Sequence, residues 1–335
     1  MKKIIGGEFQ IDDCLLNINK SSKKAIVLSS GRGALSYILK NIENKYNYTD
    51  ILIPNYLCDS ITNTIVDLNW KYHFYNINQE LEFDINEVIN QKKANIILII
   101  NYFGMINLNK KIIEIKKKNP DMIIIEDDVQ AYFEYEKSVA DYSFTSLRKW
   151  FPCPDGALIK TMHDMEPFKG NISKWSEYKF AGNILKKYSD KLEDDLIALK
   201  LLEEGETLLN KEYYSMCSKF FFNYFFKYQY KRSSKKKKKN ARFLHEGLSN
   251  LKIKHIYSEN TIPLFVPIFI NNRNSLRKEF FKNNIFVPYH WPNDKLCKKN
   301  NLYNTELSLI CDQRYDLSDM ERQLKILQIY KNCEE

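Results

Sequence analysis

A short apolar run that ends in three acidic residues constrains the fold of this chain more than any other feature. The run is Met122–Ile125, and Glu126–Asp128 follow it directly. Consecutive β-branched residues are typical of a strand buried on both faces, as in a parallel sheet. Open α/β sheets bind their ligands at the carboxyl ends of such strands. The acids therefore predict a functional site at this edge of the sheet.

A lysine in mainly apolar surroundings lies downstream of these acids. Lys149 stands between Leu147 and Trp150, with the cationic Arg148 beside it. Desolvation or a neighbouring cation favours the neutral amine, which is the form that acts as a nucleophile. A lysine beside an aromatic residue is more typical, however, of a surface side chain that extends its amine into water. Lys149 is a candidate nucleophile only in combination with the strand-end acids.

A small-residue turn joins the first predicted strand, residues 25–28, to a helix with apolar residues at helical spacing. Gly31, Arg32 and Gly33 form the start of this helix. Small residues there let backbone N–H groups approach an anion, and the helix dipole favours negative charge. An ordinary turn is the alternative, because the spacing of two glycines alone is a weak signal.

Strands and helices alternate over the first half of the chain. Further apolar runs at 51–54, 72–75, 95–100 and 158–160 predict strands. This order predicts an α/β fold, with a mostly parallel central sheet and helices on both faces. The last hundred residues read as α+β, with a proline-containing edge strand at 262–270.

Two domains are expected from this pattern. The large α/β domain would span residues 1–239, with residues 1–22 packed against the smaller domain. The small α+β domain would span residues 240–335 and end in an amphipathic helix at 318–330. An aromatic-rich helix at 220–230 is expected in the core or at a subunit interface.

Charge, cysteines and hydropathy restrict the class of protein. The formal net charge is +9, and much of it lies in the run 231–239. Such a run is usually a solvated helix face or loop, and no nucleic-acid-binding motif accompanies it, so a nucleic-acid binder is the less favoured class. The apolar runs are too short to span a bilayer, and the first residues lack the apolar core of a signal peptide. The seven scattered cysteines have no zinc-site spacing. We therefore expect a cytoplasmic protein with free thiols and no membrane contact.

Several segments together resemble the DegT/DnrJ/EryC1/StrS family of sugar aminotransferases. These are the segment Glu126–Gln130, the spacing from Ser146 to Lys149 before the Asp155–Gly156 turn, and the turn 30–35. In that turn, Arg32 replaces a threonine that is usual in the family. The resemblance covers most of the chain. It implies a fold-type I transferase that uses pyridoxal 5'-phosphate (PLP).

The resemblance also implies roles for single residues. Lys149 would form the Schiff base with the PLP aldehyde and act as general base. Asp127 would keep the pyridine nitrogen protonated by charge pairing, which lets the ring act as an electron sink. Gln130 would bond the phenolic oxygen, and Tyr56 would stack on the ring.

The cofactor phosphate and the substrate would be held by further residues. The expected phosphate ligands are Gly31, Arg32, Gly33 and Ser146, with Ser143 as the alternative serine. Asn240 is a candidate lent by the neighbouring subunit of a homodimer with a shared active site. Arg148 and His290 are expected at the substrate, although core packing is the alternative for His290.

The implied activity is transamination of small molecules. The amino group would move from an L-amino acid, glutamate by family habit, to a keto group of a nucleotide-linked sugar or a small phosphorylated ketose. The setting would be surface-polysaccharide or secondary-metabolite synthesis. A non-catalytic homologue with a binding or regulatory role, and a PLP-dependent dehydratase or lyase, are the alternatives. Lys149 disfavours the dehydratases, which have histidine at this position.

Overall fold

The computed structural model describes residues 3–9, 26–188, 192–218, 230–291 and 300–334. Its strands are β1 (Ile5–Gly6), β2 (Ile26–Leu28), β3 (Asp50–Pro54), β4 (Lys71–Tyr75), β5 (Ile96–Ile100), β6 (Ile123–Asp127), β7 (Tyr142–Ser146), β8 (Ala157–Thr161), β9 (Phe265–Phe269), β10 (Ile285–Phe286) and β11 (Glu306–Ile310). Its helices are α1 (Gly31–Tyr46), α2 (Asp59–Asp67), α3 (Ile85–Asn90), α4 (Asn109–Lys118), α5 (Tyr132–Tyr135), α6 (Trp175–Tyr188), α7 (Leu192–Glu212), α8 (Tyr230–Asn250), α9 (Arg273–Lys282), α10 (Leu302–Thr305) and α11 (Leu317–Glu334). Short 3-10 helices occur at Tyr102–Gly104 and Leu147–Lys149.

A seven-stranded sheet organises the first half of the molecule. The strand order is β2–β8–β7–β6–β5–β3–β4. Strand β8 runs antiparallel to both of its neighbours, whereas the other neighbouring pairs are parallel. The predicted mostly parallel α/β sheet is therefore confirmed. Because β3, β5, β6 and β7 all run in one direction, their carboxyl ends meet at the same edge.

Apolar burial on both sides of this sheet explains its uninterrupted apolar runs. All residues of β5 and β6 are buried, and Ile96 to Ile100 pair in register with Ile123 to Asp127. Helix α1 buries Leu35, Ile38 and Leu39 almost completely. Burial of each such side chain contributes about 1.5–3 kcal/mol to folding. This helix is consequently fixed with its N-terminus at the carboxyl edge of the sheet.

Two small sheets build the C-terminal part of the molecule. Strands β9 and β11 pair antiparallel, so the predicted strand at 262–270 forms as the edge strand Phe265–Phe269. Strand β1 pairs parallel with β10, which joins the N-terminal segment to this part of the chain. The division into two domains stays a prediction, and a boundary between residues 239 and 240 falls inside the continuous helix α8.

Helix α8 carries the basic run, and one of its lysines departs from the expectation of a solvated face. Lys235, Lys236, Lys238 and Lys239 are exposed, but the Lys237 side chain is fully buried. The predicted aromatic-rich helix lies outside the described residues, apart from its last position, Tyr230. None of the helices in the described ranges has the length and apolar composition needed to cross a bilayer.

Candidate active site

A cavity lies at the carboxyl edge of the large sheet. It encloses about 840 Å³ of space, part of it open to solvent. Ile100, Asp127 and Ser146, the last residues of β5, β6 and β7, line it. Gly31 of α1 and Asp59 of α2, the first residues of these helices, also line it. This is the edge at which α/β sheets place their ligands.

Lys149 and Asp127 line the same cavity. Lys149 ends the 3-10 turn that follows β7 and is half-buried. Burial raises the pKa of the Asp127 carboxyl to about 6, while the Val129 N–H bond of 2.9 Å and the Lys149 charge act in the opposite direction. A cation in this cavity therefore favours the ionised form of Asp127.

The two acids that flank Asp127 are held elsewhere. The Ser138 hydroxyl donates to Glu126 at 2.5 Å, and the Asn101 amide donates to Asp128 at 3.2 Å. Burial raises the pKa of Glu126 to about 7 and that of Asp128 well above its usual value. Of the three strand-end acids, Asp127 is the one that borders the cavity. This agrees with the alternation of side chains along an extended strand.

Gln130 presents a hydrogen-bond donor that no described residue accepts. Its Oε1 accepts from the backbone N–H of Phe103 at 3.0 Å, which fixes the orientation of the amide. Its buried Nε2 has no partner among the residues that the structure describes. A buried donor without an acceptor costs about 1–3 kcal/mol. Because Gln130 lines the cavity, a ligand with an acceptor atom would remove that cost.

The N-terminus of α1 provides free backbone donors. The first intrahelical bond runs from Ala34 N to Ser30 O, so the N–H groups of Gly31 and Arg32 precede it. Both residues line the cavity with Ser30 and Ser146. Free N–H groups and the positive helix end form an anion site.

Gly33 has a packing role at this terminus. The Ser30 hydroxyl accepts from the Gly33 N–H at 3.1 Å, so this donor is already used. A Cβ on Gly33 would lie 2.5 Å from the Tyr213 carbonyl oxygen. The close approach of the Tyr213 backbone therefore explains the glycine, and the predicted phosphate contact of Gly33 is not supported.

Another part of the cavity wall lies at the junction of β3 and α2, where the resemblance implies the residue that stacks on the ring. It consists of the residues Cys58, Asp59, Ser60 and Ile61 at the start of α2, with Trp291. The Ser60 hydroxyl donates to the Cys58 thiol at 3.1 Å. Burial raises the pKa of this thiol, and the charge of Lys149 lowers it. The rule that ligands bind at carboxyl ends of parallel strands, applied to β3, would have indicated Cys58 to Ile61.

Arg148 borders the cavity but is engaged in an ion pair. Its guanidinium donates to Glu206 of α7 and lies 5.9 Å from the centre of the Trp175 ring. Lys179 of α6 donates to the same carboxylate at 2.7 Å. The two cations hold the pKa of Glu206 at about 2, against the opposing effect of burial. Arg148 therefore fixes the Lys149 turn to α7, and its predicted role as a free substrate ligand is not supported.

Tyr56 lies too deep to stack on a ligand in this cavity. Its side chain is fully buried and contacts the rings of Tyr102, Trp291 and Tyr303 at centroid distances of 5.0–5.5 Å. Its hydroxyl donates to the carbonyl of His290, and burial raises its pKa well above the usual value. The predicted stacking role of Tyr56 is therefore not supported, and the aromatic residues in the cavity wall are Phe144 and Trp291.

Three further predicted residues are buried and do not line the cavity. The Asn240 amide donates to the carbonyl of Asp312 at 3.1 Å, within the C-terminal part. His290 Nδ1 lies 3.0 Å from the Ser308 hydroxyl, in agreement with the core-packing alternative. Ser143 is buried in β7, and its hydroxyl has no partner among the described residues. Ser146, which lines the cavity, is the better placed of the two serines.

No family model and no curated protein sequence matches this chain. Among solved structures, a NifS-like protein covers 97% of this chain and 97% of its own, at 14% identity and a TM-score of 0.59. A DegT/DnrJ/EryC1/StrS aminotransferase from Brucella abortus covers 92% and 86%, at 13% identity and a TM-score of 0.59. The proposed sugar aminotransferase Spr1654 from Streptococcus pneumoniae, in its PLP form, covers 96% and 91%, at 13% identity and a TM-score of 0.62.

The chain has the fold of the fold-type I PLP-dependent aminotransferases. The fold expected from the sequence is thereby confirmed. At this level of identity the likeness establishes the fold, and the roles of individual residues depend on the geometry of the cavity.

The residues of the cavity fit PLP. A carboxylate, a lysine amine and an unsatisfied amide donor border one space, and free N–H groups lie at a helix N-terminus. These are the groups that a pyridinium nitrogen, an aldehyde, a phenolate oxygen and a phosphate each require. No group of three or more His, Cys, Asp or Glu side chains in the described ranges is arranged to hold a metal ion.

Proposed function

We propose that this protein is a PLP-dependent aminotransferase. The observation that carries the proposal is the convergence of Lys149, Asp127 and the unsatisfied Gln130 amide on one cavity at the ligand-binding edge of the sheet. The similarity of the fold to aminotransferase structures supports it. When bound, PLP supplies an electron sink that stabilises a carbanion next to nitrogen.

The cavity residues would bind the cofactor and transfer the proton. The Lys149 Nζ would provide the amine that holds the cofactor and would then take and return the proton of the substrate carbon. Asp127 would hold the ring nitrogen in its protonated form by charge pairing. Gly31, Arg32 and Ser146 would bind the phosphate, and the Gln130 amide would donate to the phenolate oxygen.

The substrates would be an L-amino acid donor, such as glutamate, and a keto compound on a nucleotide-linked sugar or a small phosphorylated ketose. The similarity to the proposed sugar aminotransferase Spr1654 supports a sugar. Surface-polysaccharide or secondary-metabolite synthesis would be the setting.

Two further features of the proposal concern assembly and compartment. Leu196, Ile197 and Leu199 of α7 are more than half exposed, and a homodimer would cover this apolar surface. Four cysteines in the described ranges are free thiols, which supports a reducing compartment such as the cytoplasm.

Reduction of the PLP-incubated protein with borohydride tests the site assignment. We expect a yellow protein that borohydride bleaches, with the phosphopyridoxyl group on the Lys149 peptide. K149A should bind PLP without this covalent label, whereas K174A, a change at an exposed lysine, should label normally. A colourless wild-type protein, or a label on another lysine, would overturn the assignment.

Addition of amino donors then separates catalysis from binding alone. Glutamate should convert the yellow form to the pyridoxamine form and release the corresponding keto acid. A protein that binds PLP at Lys149 but shows no spectral change with any amino donor would be the non-catalytic homologue. Release of ammonia or water from the substrate instead of amino transfer would indicate a lyase or dehydratase.

A further inference from the structure

Lys237 is a fully buried lysine within the basic run of α8. Its ammonium nitrogen lies 5.0 Å from the centre of the Trp150 ring. No residue in the described part of the chain forms a hydrogen bond with this nitrogen. Burial of an amine without a hydrogen-bond partner opposes folding, so packing alone does not account for a lysine here.

The charged groups around Lys237 are already satisfied. Asp312 is the nearby carboxylate, and Arg314 donates to it through two nitrogens at 2.8 and 3.0 Å. Burial lowers the pKa of Lys237, and Asp312 has the opposite effect. The direct contact of the Lys237 cation is therefore the face of the Trp150 ring, a favourable cation–π arrangement when water is excluded.

Trp150 contacts both chemically important loops of the site. It directly follows Lys149, and its indole N–H donates to the Val129 carbonyl at 3.0 Å. The Val129 N–H in turn donates to the Asp127 carboxylate at 2.9 Å. The side-chain amide of Gln313, in the loop after β11, donates to the Trp150 carbonyl at 3.2 Å.

We propose that Lys237 is a positioning residue that holds the Trp150 ring in place. Through this ring it would fix the position of the turn that carries Lys149 relative to the loop after Asp127. The proposal rests on the function proposed above for Lys149 and Asp127. It assigns a reason for retaining a buried lysine among the exposed ones of the same run. It also connects the C-terminal part of the molecule to the cavity through one aromatic ring.

Acetylation of the cofactor-free protein tests this role without PLP. Lys149 and the exposed Lys174 are acetylated together with an N-hydroxysuccinimide ester of acetate, and their rates are compared by mass spectrometry. In Lys237→Met we expect the ratio of the Lys149 rate to the Lys174 rate to rise about fivefold or more, because the turn loses its cation–π anchor. Lys238→Met, at the next and exposed position, should leave the ratio unchanged.

The thermal unfolding temperature distinguishes positioning from a purely structural role. Lys237→Met removes an unpaired buried amine, so the unfolding temperature should not fall. An unchanged acetylation ratio, or a raised ratio accompanied by a lowered unfolding temperature, would overturn the proposal. Lys237→Gln, which keeps most of the side-chain length, replaces the methionine variant with the same expectations if that variant does not fold.

PLP binding then separates this proposal from the proposed function. If wild-type protein binds PLP at Lys149 and Lys237→Met shows the wild-type acetylation ratio, the positioning role is wrong and the enzyme assignment stands. If wild-type protein binds no PLP but Lys237→Met raises the ratio, the positioning role stands and the enzyme assignment is wrong.

Discussion

The Phe103 backbone N–H donates to Oε1 of Gln130 at 3.0 Å, and this bond leaves the other end of the Gln130 amide as an unsatisfied donor in the cavity wall. The tight turn that contains Phe103 thus sets the orientation of a side chain that the ligand would use. A fixed donor is pre-organised, so the ligand need not immobilise it on binding.

Gln130→Leu should weaken PLP binding about tenfold, because it removes a buried donor to the ligand. In the cofactor-free protein the loss of the Phe103 acceptor and the removal of the unsatisfied Nε2 have opposite effects, so the unfolding free energy should change by less than about 1 kcal/mol. Absorbance titration with PLP and urea unfolding measure the two effects. Gln328→Leu, at an exposed position, is the control for both. Equal PLP affinity of the variant and the wild-type protein would contradict the role of Gln130.

Asp127→Asn should stabilise the cofactor-free protein above pH 6 while preventing PLP-dependent activity. Burial raises the Asp127 pKa from 3.8 to about 6, so the folded state binds more protons than the unfolded state between these values. Its contribution to stability is therefore present at low pH and decreases as the pH rises from about 4 to 6. The variant lacks this penalty, and its advantage at pH 8 should be about 3 kcal/mol.

Urea unfolding of the wild-type protein and Asp127→Asn at pH 5 and pH 8 measures this difference. The gap between the two proteins should be larger at pH 8. Asp121→Asn, a change at an exposed aspartate, should show no such pH dependence. A gap that is larger at pH 5 would show that Asp127 is not a buried carboxyl with a raised pKa.

Glu206→Gln should destabilise the protein at neutral pH and leave Arg148 without its carboxylate. The two cations lower the pKa of Glu206 from 4.5 to about 2, so its stabilising effect is present above pH 4.5 and is lost as the pH falls towards 2. Because 38% of the side chain is exposed, solvent screening limits the loss to about 1 kcal/mol. Unfolding free energies at pH 7 and pH 3 measure it, with Glu203→Gln on the exposed face of α7 as control. A loss of equal size at both pH values would exclude charge pairing as the cause.

Gly33→Ala should lower the unfolding free energy by about 1–3 kcal/mol, because the new methyl group would overlap the Tyr213 carbonyl. Gly31→Ala should cost less, since its nearest neighbour would be a Val129 methyl group at 3.1 Å. For PLP affinity, Gly31→Ala should have the larger effect, because Gly31 lines the cavity and Gly33 does not. Urea unfolding and PLP titration of both variants test the two orders. A larger stability loss in Gly31→Ala would contradict the packing reason for Gly33.

The sequence predicted the sheet because its signals are local. Isoleucine runs such as 96–100 are buried on both faces and follow the strand rule directly. The acids after 123–125 can be identified because the carboxyl end of a strand follows from strand direction, whereas the role of Lys149 is implied by the resemblance of the Ser146–Lys149 spacing to the family's. Residues 58–61 obey the same rule at β3, but the resemblance implies an aromatic residue at this junction and therefore favours Tyr56.

Other assignments failed because they depend on tertiary contacts. The depth of Tyr56 follows from the three rings packed around it, which come from distant parts of the chain. Asn240 resembles a polar surface residue until the loop at 312 supplies carbonyls for it. For Lys237 a signal was present: it lies four positions before Ala241, on the stripe of α8 that continues through Leu244 and Leu248. Its position on the same helix face as these apolar residues, despite its charge, would have predicted that Lys237 is buried.

The antiparallel strand β8 affects the order in which the cavity forms during folding. The strand follows the Lys149 turn, and its residue Ala157 pairs with Leu28 of β2. Leu28 lies two residues before Ser30, the N-cap of α1. Strand β8 pairs with β2, which precedes the anion-binding turn, and with β7, which precedes the amine-bearing turn, so it joins distant parts of the chain. Contacts of such long sequence separation slow the folding of a domain. A nascent chain that ends before β8 would contain both turns but lack the strand that pairs next to each of them.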